Sequence, residues 1–163
     1  VVATGLHRPV TEAEGAALLG GLPLQLINHD ARDPTQLVDL GQTSRGTPLR
    51  VNRTVAEADL RILTGDVELH QFVGYGGGAK SVLPGICDAD GALVTHAKME
   101  SPGAGPGRID DNPIRLDIEQ AAELVMAACD PAEDLRGDAE YKTHMAAEMA
   151  RRSIRDALAR ARS

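Results

Sequence analysis

The sequence predicts an α/β fold in which a layered sheet carries flanking helices and a helical tail follows at the C-terminus. Short apolar stretches typical of strands recur between residues 1 and 67, and helix signals interrupt them. From Pro113 onward apolar residues return at helical spacing, and residues 139–163 have the composition of a long terminal helix. We therefore predict a domain over residues 1–128 and a helical tail over residues 129–163.

The first part of the chain contains two predicted strands with a helix between them. "VVATG" begins apolar and turns polar at Gly5, which suits a strand that delivers His7 to the edge of a sheet. Thr11, with Glu14 three residues later, forms a capping-box pattern ahead of a short helix, "GAALLGGL". "LPLQLINHD" then predicts the second strand.

Strands and helices alternate through the rest of the domain. Further strands are predicted at "TQLVDLG", "TPLRVNRTV" and "ADLRILTGDV", with a helical turn over residues 54–58. "GALVTHAKM" predicts a short strand or turn, and "ESPGAGPGRIDDNP" predicts a loop. A helix begins at Pro113, which a first helical turn tolerates, and runs to about Cys129.

Composition excludes several classes of protein. A net charge of -7 argues against a nucleic-acid binder, which needs clustered Lys and Arg. No segment is apolar enough over about 18 residues to span a membrane, and no signal-peptide pattern opens the chain, so we expect a cytoplasmic protein. Cys87 and Cys129 are far apart and are expected to be reduced thiols. The opening at Val1, in apparent mid-strand, suggests part of a longer chain.

A glycine-rich stretch, "GYGGGAKS", comes close to the phosphate-loop pattern of nucleotide hydrolases. Ala79 stands where that pattern requires its second glycine, and Pro84 follows within about one turn of Lys80, where the pattern requires a helix. We therefore rank nucleotide hydrolysis last among the functions considered. The three successive glycines instead suggest a close approach of the backbone to a flat or anionic group. These glycines are Gly76, Gly77 and Gly78.

Lys80 and three histidines form the candidate site. Lys80 follows the glycines, where desolvation or nearby cations would lower the pKa of its amine enough to make it reactive. His7, His70 and His96 could converge with it at one edge of the sheet. A histidine is more often structural or solvated than functional, and that ordinary interpretation is kept for His29 and His144.

The chain resembles a known family along most of its length. "GLHRPVT", "INHD", "GTPLRVNRTVAEADLRILTG", "LHQFVGYGGGAKSVLPGI", "THAKM" and "DNPIRLDIEQAA" resemble, in the same order, the nickel-pincer lactate racemase family and its relatives acting on other 2-hydroxy acids. The resemblance runs from about Val1 to Ala122, and it includes His70, the glycine loop, Lys80 and His96 at the family's spacing.

The resemblance implies a role for each residue of the candidate site. Lys80 would bond covalently to a nickel-pincer nucleotide, and His96 would supply nickel's protein ligand beside the sulfur, carbon and sulfur donors of the cofactor. His7 and His70 would be acid/base histidines acting on a small 2-hydroxy acid. Gly76, Gly77 and Gly78 would contact the nucleotide. Asn52, Arg53 and Asn112 are either site residues or turn and capping groups.

Chemistry explains why the family needs a hydride acceptor and two bases. The α-hydrogen beside a carboxylate is very weakly acidic, so its removal as hydride is easier than its removal as a proton. The hydroxyl proton passes to histidine, and the planar 2-keto acid can regain hydride on either face. Each orientation of the hydroxyl group then calls for its own base, and an ordinary pKa near 6.5 suits histidine to both.

Two departures from the family leave a different function open. The family's N-terminal portion and closing second domain are not in this sequence, which implies an incomplete or inactive fragment. Residues 129–163 resemble instead the C-terminal end of the FAD-binding medium subunit of carbon monoxide dehydrogenase. The alternative is therefore a non-catalytic module or remnant, with a partner chain or a second copy docking on the tail's apolar stripe of Tyr141, Met145, Met149 and Leu158.

Overall fold

The computed structural model describes residues 1–127, so the predicted tail lies outside the described residues. One compact unit contains Val1–Glu57 and resumes at Leu63. Its helices are α1 (Glu12–Leu19), α2 (Arg53–Ala56), α3 (Ala89–Ala97) and α4 (Pro113–Ala127), and its strands are β1 (Leu37–Gln42), β2 (Pro48–Asn52), β3 (Leu69–His70) and β4 (Gly74–Tyr75). Single 3₁₀ turns occur at Pro34–Gln36, Gly78–Ser81 and Lys98–Glu100.

The strands form two separate antiparallel pairs, and the mixture of helices and strands confirms the predicted α/β class. β1 pairs with β2, with Leu37 opposite Asn52, and the register shifts between Asp39 and Gln42. β3 pairs with β4, with His70 opposite Gly74. Among residues 1–127, no helix is long and apolar enough to cross a bilayer.

Three strand predictions differ from the structure. The stretches around Val2 and Asn28 meet only in one isolated parallel bridge. Residues 58–67 form no strand, and Val67 is 73% exposed, because its apolar side chain has no sheet face to cover it. An apolar segment that stays exposed gains too little free energy from burial to hold it as a strand in a sheet.

"GALVTHAKM" is helical, which corrects the strand or turn predicted there. Asp88 caps α3 by accepting a hydrogen bond from the Gly91 amide at 3.0 Å. A Cβ on Gly91 would lie 2.7 Å from the Pro48 carbonyl oxygen, so glycine lets α3 approach β2 closely. These long-range contacts override the strand propensity of Val94 and Thr95.

The core lies where α4 meets β2 and the segment that follows the glycine loop. Helical periodicity correctly predicted α4, whose inward face is formed by Ile114, Ile118, Ala121 and Val125. These side chains cluster with Leu49, Val51, Val73, Val82, Leu83, Ile86 and Cys87. The residues immediately after Lys80 are therefore anchored in the core.

A buried ion pair ties the end of α3 to α4. Lys98 Nζ lies 2.5 Å from Asp117 Oδ2 and 2.7 Å from Thr47 Oγ1, and the Asp117 side chain is fully buried. Burial alone would raise the pKa of Asp117, but hydrogen bonds from Lys98, Thr43 and Thr47 outweigh it and lower that pKa. The charged form of Asp117 is therefore part of the folded structure.

Candidate active site

His70 ends β3 and is held by the turn that follows it. Its Nδ1 accepts hydrogen bonds from the backbone amides of Phe72 at 3.4 Å and Val73 at 3.5 Å. The next residue, Gly74, has φ +83, and a Cβ there would lie 2.2 Å from the Arg108 carbonyl oxygen. Glycine at position 74 therefore lets the hairpin that contains His70 pack directly against the backbone of Arg108.

His96 lies in the last turn of α3, and one of its ring nitrogens is already used. Nδ1 lies 2.6 Å from the Ala92 carbonyl oxygen, one helical turn earlier. Because a carbonyl only accepts, Nδ1 must carry the proton. The neutral ring therefore has its lone pair at Nε2, which is the form a metal ligand requires.

Phe72 lies between the two histidines. Its ring makes edge contacts with His70 at 4.5 Å and with His96 at 5.6 Å between centroids. Its carbonyl oxygen accepts hydrogen bonds from the Gly105 amide at 3.2 Å and from Asn112 Nδ2 at 2.7 Å. Sequence reasoning missed Phe72. Its place two positions after His70, as the only phenylalanine in the chain, was the available signal.

Lys80 is half-buried in the turn Gly78–Ser81, near the same histidines. Burial lowers the pKa of its amine, which increases the neutral, nucleophilic fraction. Burial also lowers the pKa of His70, and the positive charges of Lys80 and His96 lower it further. His70 is therefore near enough to both Lys80 and His96 to interact with them electrostatically.

The three glycines before Lys80 occupy different surroundings. A Cβ on Gly77 would lie 2.7 Å from the Asp66 carbonyl oxygen, and the Gly76 amide donates to the Glu68 carbonyl oxygen at 2.7 Å. Gly78, by contrast, has no atom within 4 Å of a Cβ position. Contacts within the protein thus account for Gly77, while Gly78 leaves open space beside Lys80.

His7 lies in an exposed turn. The turn is attached to the loop of Lys80 through Gly85, whose carbonyl accepts from the Gly5 amide at 2.9 Å and whose amide donates to the Lys80 carbonyl at 3.2 Å. Within residues 1–127, no hydrogen bond reaches the His7 ring. The structure brings the backbone of this turn to the loop and leaves the imidazole in solvent.

Four other residues that the sequence singled out form hydrogen bonds with the protein's own backbone or side chains. His29 is buried, with Nε2 2.8 Å from the Cys87 carbonyl oxygen and Nδ1 3.4 Å from Asn52 Nδ2. Asn52 caps α2 by accepting from the Thr54 amide, and Asn112 accepts from the first amides of α4. Arg53 donates to the carbonyl oxygens of Thr35 and Leu37. All four serve as turn, capping or core groups.

The loop lacks the helix that a phosphate loop requires. Lys80 belongs to a four-residue 3₁₀ turn, and turns continue to Ile86 without an α-helix. Over residues 1–127, no three His, Cys, Asp or Glu side chains are grouped to hold a metal ion. A metal beside His96 would therefore take its remaining donors from a bound group or from residues outside this range.

Comparison with known proteins settles the family. A sequence model of the lactate racemase N-terminal domain matches residues 1–107. The chain belongs to this family. It is 35% identical over 128 residues to the lactate racemase of Thermoanaerobacterium thermosaccharolyticum, a match that covers 76% of this chain and 30% of the relative. It is 36% identical over 133 residues to the lactate racemase of Lactiplantibacillus plantarum, covering 78% of this chain and 31% of the relative.

The fold agrees with that of a solved family member. The lactate racemase apoprotein from Thermoanaerobacterium thermosaccharolyticum superposes with a TM-score of 0.71 at 34% identity, covering 76% of this chain and 31% of that chain. The chain thus spans about a third of the length of these relatives. A stretch of 43 residues is 54% identical to the carbon monoxide dehydrogenase medium chain of Hydrogenophaga pseudoflava, covering 26% of this chain and 15% of that protein.

Proposed function

We propose that this domain provides the cofactor-attachment face of a racemase or epimerase for a lactate-like 2-hydroxy acid. Lys80 would bond covalently to a nickel-pincer nucleotide, His96 would bind nickel through Nε2, and His7 and His70 would act on the substrate's hydroxyl group. The observation that carries the proposal is that His70 lies near both the half-buried Lys80 and His96, and that Phe72 contacts both histidine rings. Family membership supports the reaction class.

The residues present fit such a group. The lowered pKa of Lys80 favours the neutral amine that bond formation requires. His96 offers one imidazole lone pair, which suits a metal whose other donors arrive with the nucleotide. The open side of Gly78 leaves room for a flat ring or a phosphate beside the lysine. When bound, the group supplies a hydride acceptor.

The remaining chemistry belongs to the protein's own side chains. The hydroxyl oxygen of the substrate needs a partner that takes its proton as the carbon loses hydride, and one that returns it. His7 lies in solvent on a turn linked to the lysine loop, and His70 lies beside Lys80. Closure over the substrate, which excludes water and orients the carboxylate, would come from protein outside the described residues.

The alternative, a non-catalytic module that docks through its terminal helix, involves residues outside the described range. Deletion of residues 138–163 distinguishes this alternative from the leading proposal by its effects on assembly and on metal content. Deletion would change assembly without changing metal content if the tail is only a docking helix.

Intact-mass analysis tests the attachment. The chain is co-expressed with enzymes that make the cofactor, and we expect an added mass that disappears in Lys80→Ala and in Lys80→Arg, whose guanidinium stays protonated. Ser81→Ala, one position later in the same turn, is the matched control and should keep the added mass. An unmodified wild-type chain, or an adduct that persists in Lys80→Ala, would refute the proposal.

A further inference from the structure

The loop rich in glycine and proline that precedes α4 docks on the hairpin of β3 and β4. The Gly105 amide donates to the Phe72 carbonyl oxygen at 3.2 Å, and the Gly107 amide donates to the Gly74 carbonyl oxygen at 3.0 Å. At the end of the loop, Asn112 Nδ2 donates to the same Phe72 carbonyl oxygen at 2.7 Å. The sequence predicts only a loop here, yet this loop holds the turn of the hairpin.

Asn112 uses the whole hydrogen-bonding capacity of its side chain. It is fully buried, and its Oδ1 accepts from the amides of Ile114 at 3.1 Å and Arg115 at 3.2 Å. Its Nδ2 donates to the carbonyl oxygens of Phe72 at 2.7 Å and Arg108 at 3.3 Å. Turned over, the carboxamide would aim its N–H groups at two amides and its oxygen at two carbonyls. The four partners therefore fix the orientation of this side chain.

Capping α4 does not by itself require a carboxamide at position 112. A serine, threonine or aspartate oxygen accepts from the first amides of a helix about as well. None of these side chains carries an NH₂ group that can donate to two carbonyls while its oxygen caps the helix. The donor half of Asn112 therefore serves the turn of the hairpin rather than α4.

Phe72 connects this hydrogen bond to the candidate site. Its ring makes edge contacts with His70 at 4.5 Å and with His96 at 5.6 Å between centroids. His96 belongs to α3 and Phe72 to the turn after β3, so the ring joins two elements that are separate in sequence. A shift of the Phe72 backbone would move the ring that packs against both imidazoles.

We propose that Asn112 is a positioning residue of the candidate site. By holding the Phe72 carbonyl group it sets where the Phe72 ring lies against His70 and His96, and so it helps to orient His96 Nε2 toward a metal. The inference rests on the proposed function. Residues that orient a metal ligand without binding the metal change metal affinity by about 10–100-fold when they are replaced.

Proton NMR of the histidine rings tests the link on the full chain without cofactor. The spectra are recorded at about pH 8, above the ordinary histidine pKa of about 6.5, and His70→Gln and His96→Gln identify the signals. Asn112→Ser keeps an oxygen that can cap α4, and it should displace the Cε1-proton resonances of both histidines, because the Phe72 ring lies against both. Resonances that stay at their wild-type positions would overturn the proposal.

Asn52→Ser is the matched control. Asn52 is also buried and caps a helix, but its Nδ2 lies 3.4 Å from His29 Nδ1 and it has no bond to Phe72. This variant should displace the His29 resonance and leave those of His70 and His96 in place. Displacement of the His70 and His96 resonances as large as in Asn112→Ser would assign the effect to general loosening and overturn the proposal.

Phe72→Leu shows whether the effect on His96 passes through the ring. In that background Asn112→Ser should displace the His96 resonance no further, and a further displacement as large as in wild type would contradict the proposal. If Asn112→Ser does not fold, the two links are tested separately. Slow exchange of the Asn112 side-chain amide protons in wild type and a displaced His96 resonance in Phe72→Leu are expected, and fast exchange or an unmoved resonance would overturn the proposal.

Nickel retention separates this inference from the proposed function. In chains that carry the Lys80 adduct, Asn112→Ser should lose half its nickel at a chelator concentration about tenfold lower than wild type, while Asn52→Ser should match wild type. Equal retention in Asn112→Ser and wild type would overturn the positioning role. A wild-type chain that forms no adduct would refute the proposed function, and the histidine resonances would then decide this inference alone.

Discussion

His29 and His70 carry the same side chain in different surroundings. Both ring nitrogens of His29 have partners inside the protein, and only 3% of the residue is exposed. His70 uses Nδ1 for its own turn, and its ring is near the positive charges of Lys80 and His96. The sequence alone favours a structural interpretation for His29, and its burial agrees with that. The family resemblance, not the local sequence, distinguished the two.

Gly77 and Gly78 give a matched pair for testing the loop. Both have positive φ, but Gly77 has ψ near -177, a region open almost only to glycine, and its Cβ would meet the Asp66 carbonyl oxygen. We expect Gly77→Ala to lower the free energy of unfolding by about 3 kcal/mol. Gly78→Ala, with open space, should lower it by about 1 kcal/mol.

Urea unfolding of the two variants measures both costs. Equal losses would mean that the contact between the loop and residues 66–68 does not hold in solution. Loss of the cofactor adduct in Gly78→Ala, without loss of stability beyond about 1 kcal/mol, would indicate that the added methyl group occupies the cofactor's place.

Elements whose signals are local could be predicted, and elements that depend on distant partners could not. The capping box of Thr11 and Glu14 forms as expected, because both groups lie within one turn. The periodicity of α4 is likewise contained in its own sequence. α3 was misassigned because its stabilising contacts, the Asp88 cap and the approach of Gly91 to β2, become visible only in three dimensions.

Asp88 and Asp90 test how α3 is held. Both lie within 2.7 Å of Arg50, but only Asp88 is buried and caps the helix. We expect Asp88→Ala to cost about 1–2 kcal/mol of unfolding free energy. Asp90→Ala should cost less than about 0.5 kcal/mol, since exposed pairs contribute little. Chemical denaturation compares them, and a similar cost for both would assign the effect to the ion pair with Arg50.

At the scale of the whole molecule, the grouping of the site follows from elements far apart in sequence. His70 ends a hairpin, Lys80 lies in a 3₁₀ turn, and His96 ends a helix. The sequence spacing of these three residues is compatible with a shared site but does not require one. The family resemblance was what implied that they share it. Phe72 was missed because its role depends on lying between two rings from different elements.

The buried pair of Lys98 and Asp117 tests how firmly α3 is joined to α4. Lys98→Met leaves a fully buried carboxylate without its cation, and we expect a loss of about 3 kcal/mol in unfolding free energy. Combining Lys98→Met with Asp117→Leu should restore part of the lost unfolding free energy, because two apolar side chains at these positions need no ionic partner. A loss below about 1 kcal/mol in the single variant, by urea unfolding, would show that Asp117 gains a partner or water there.

Lys80 and His96 are expected to act on one bound group, and this can be checked by measuring adduct mass and nickel content on the same samples. On chains loaded in a cofactor-competent host, we expect nickel in proportion to the adduct for wild type. Lys80→Ala should lose both the adduct and the nickel, and His96→Ala should keep the adduct and lose most of the nickel. Nickel retained in His96→Ala, or nickel bound in Lys80→Ala without any adduct, would contradict the account.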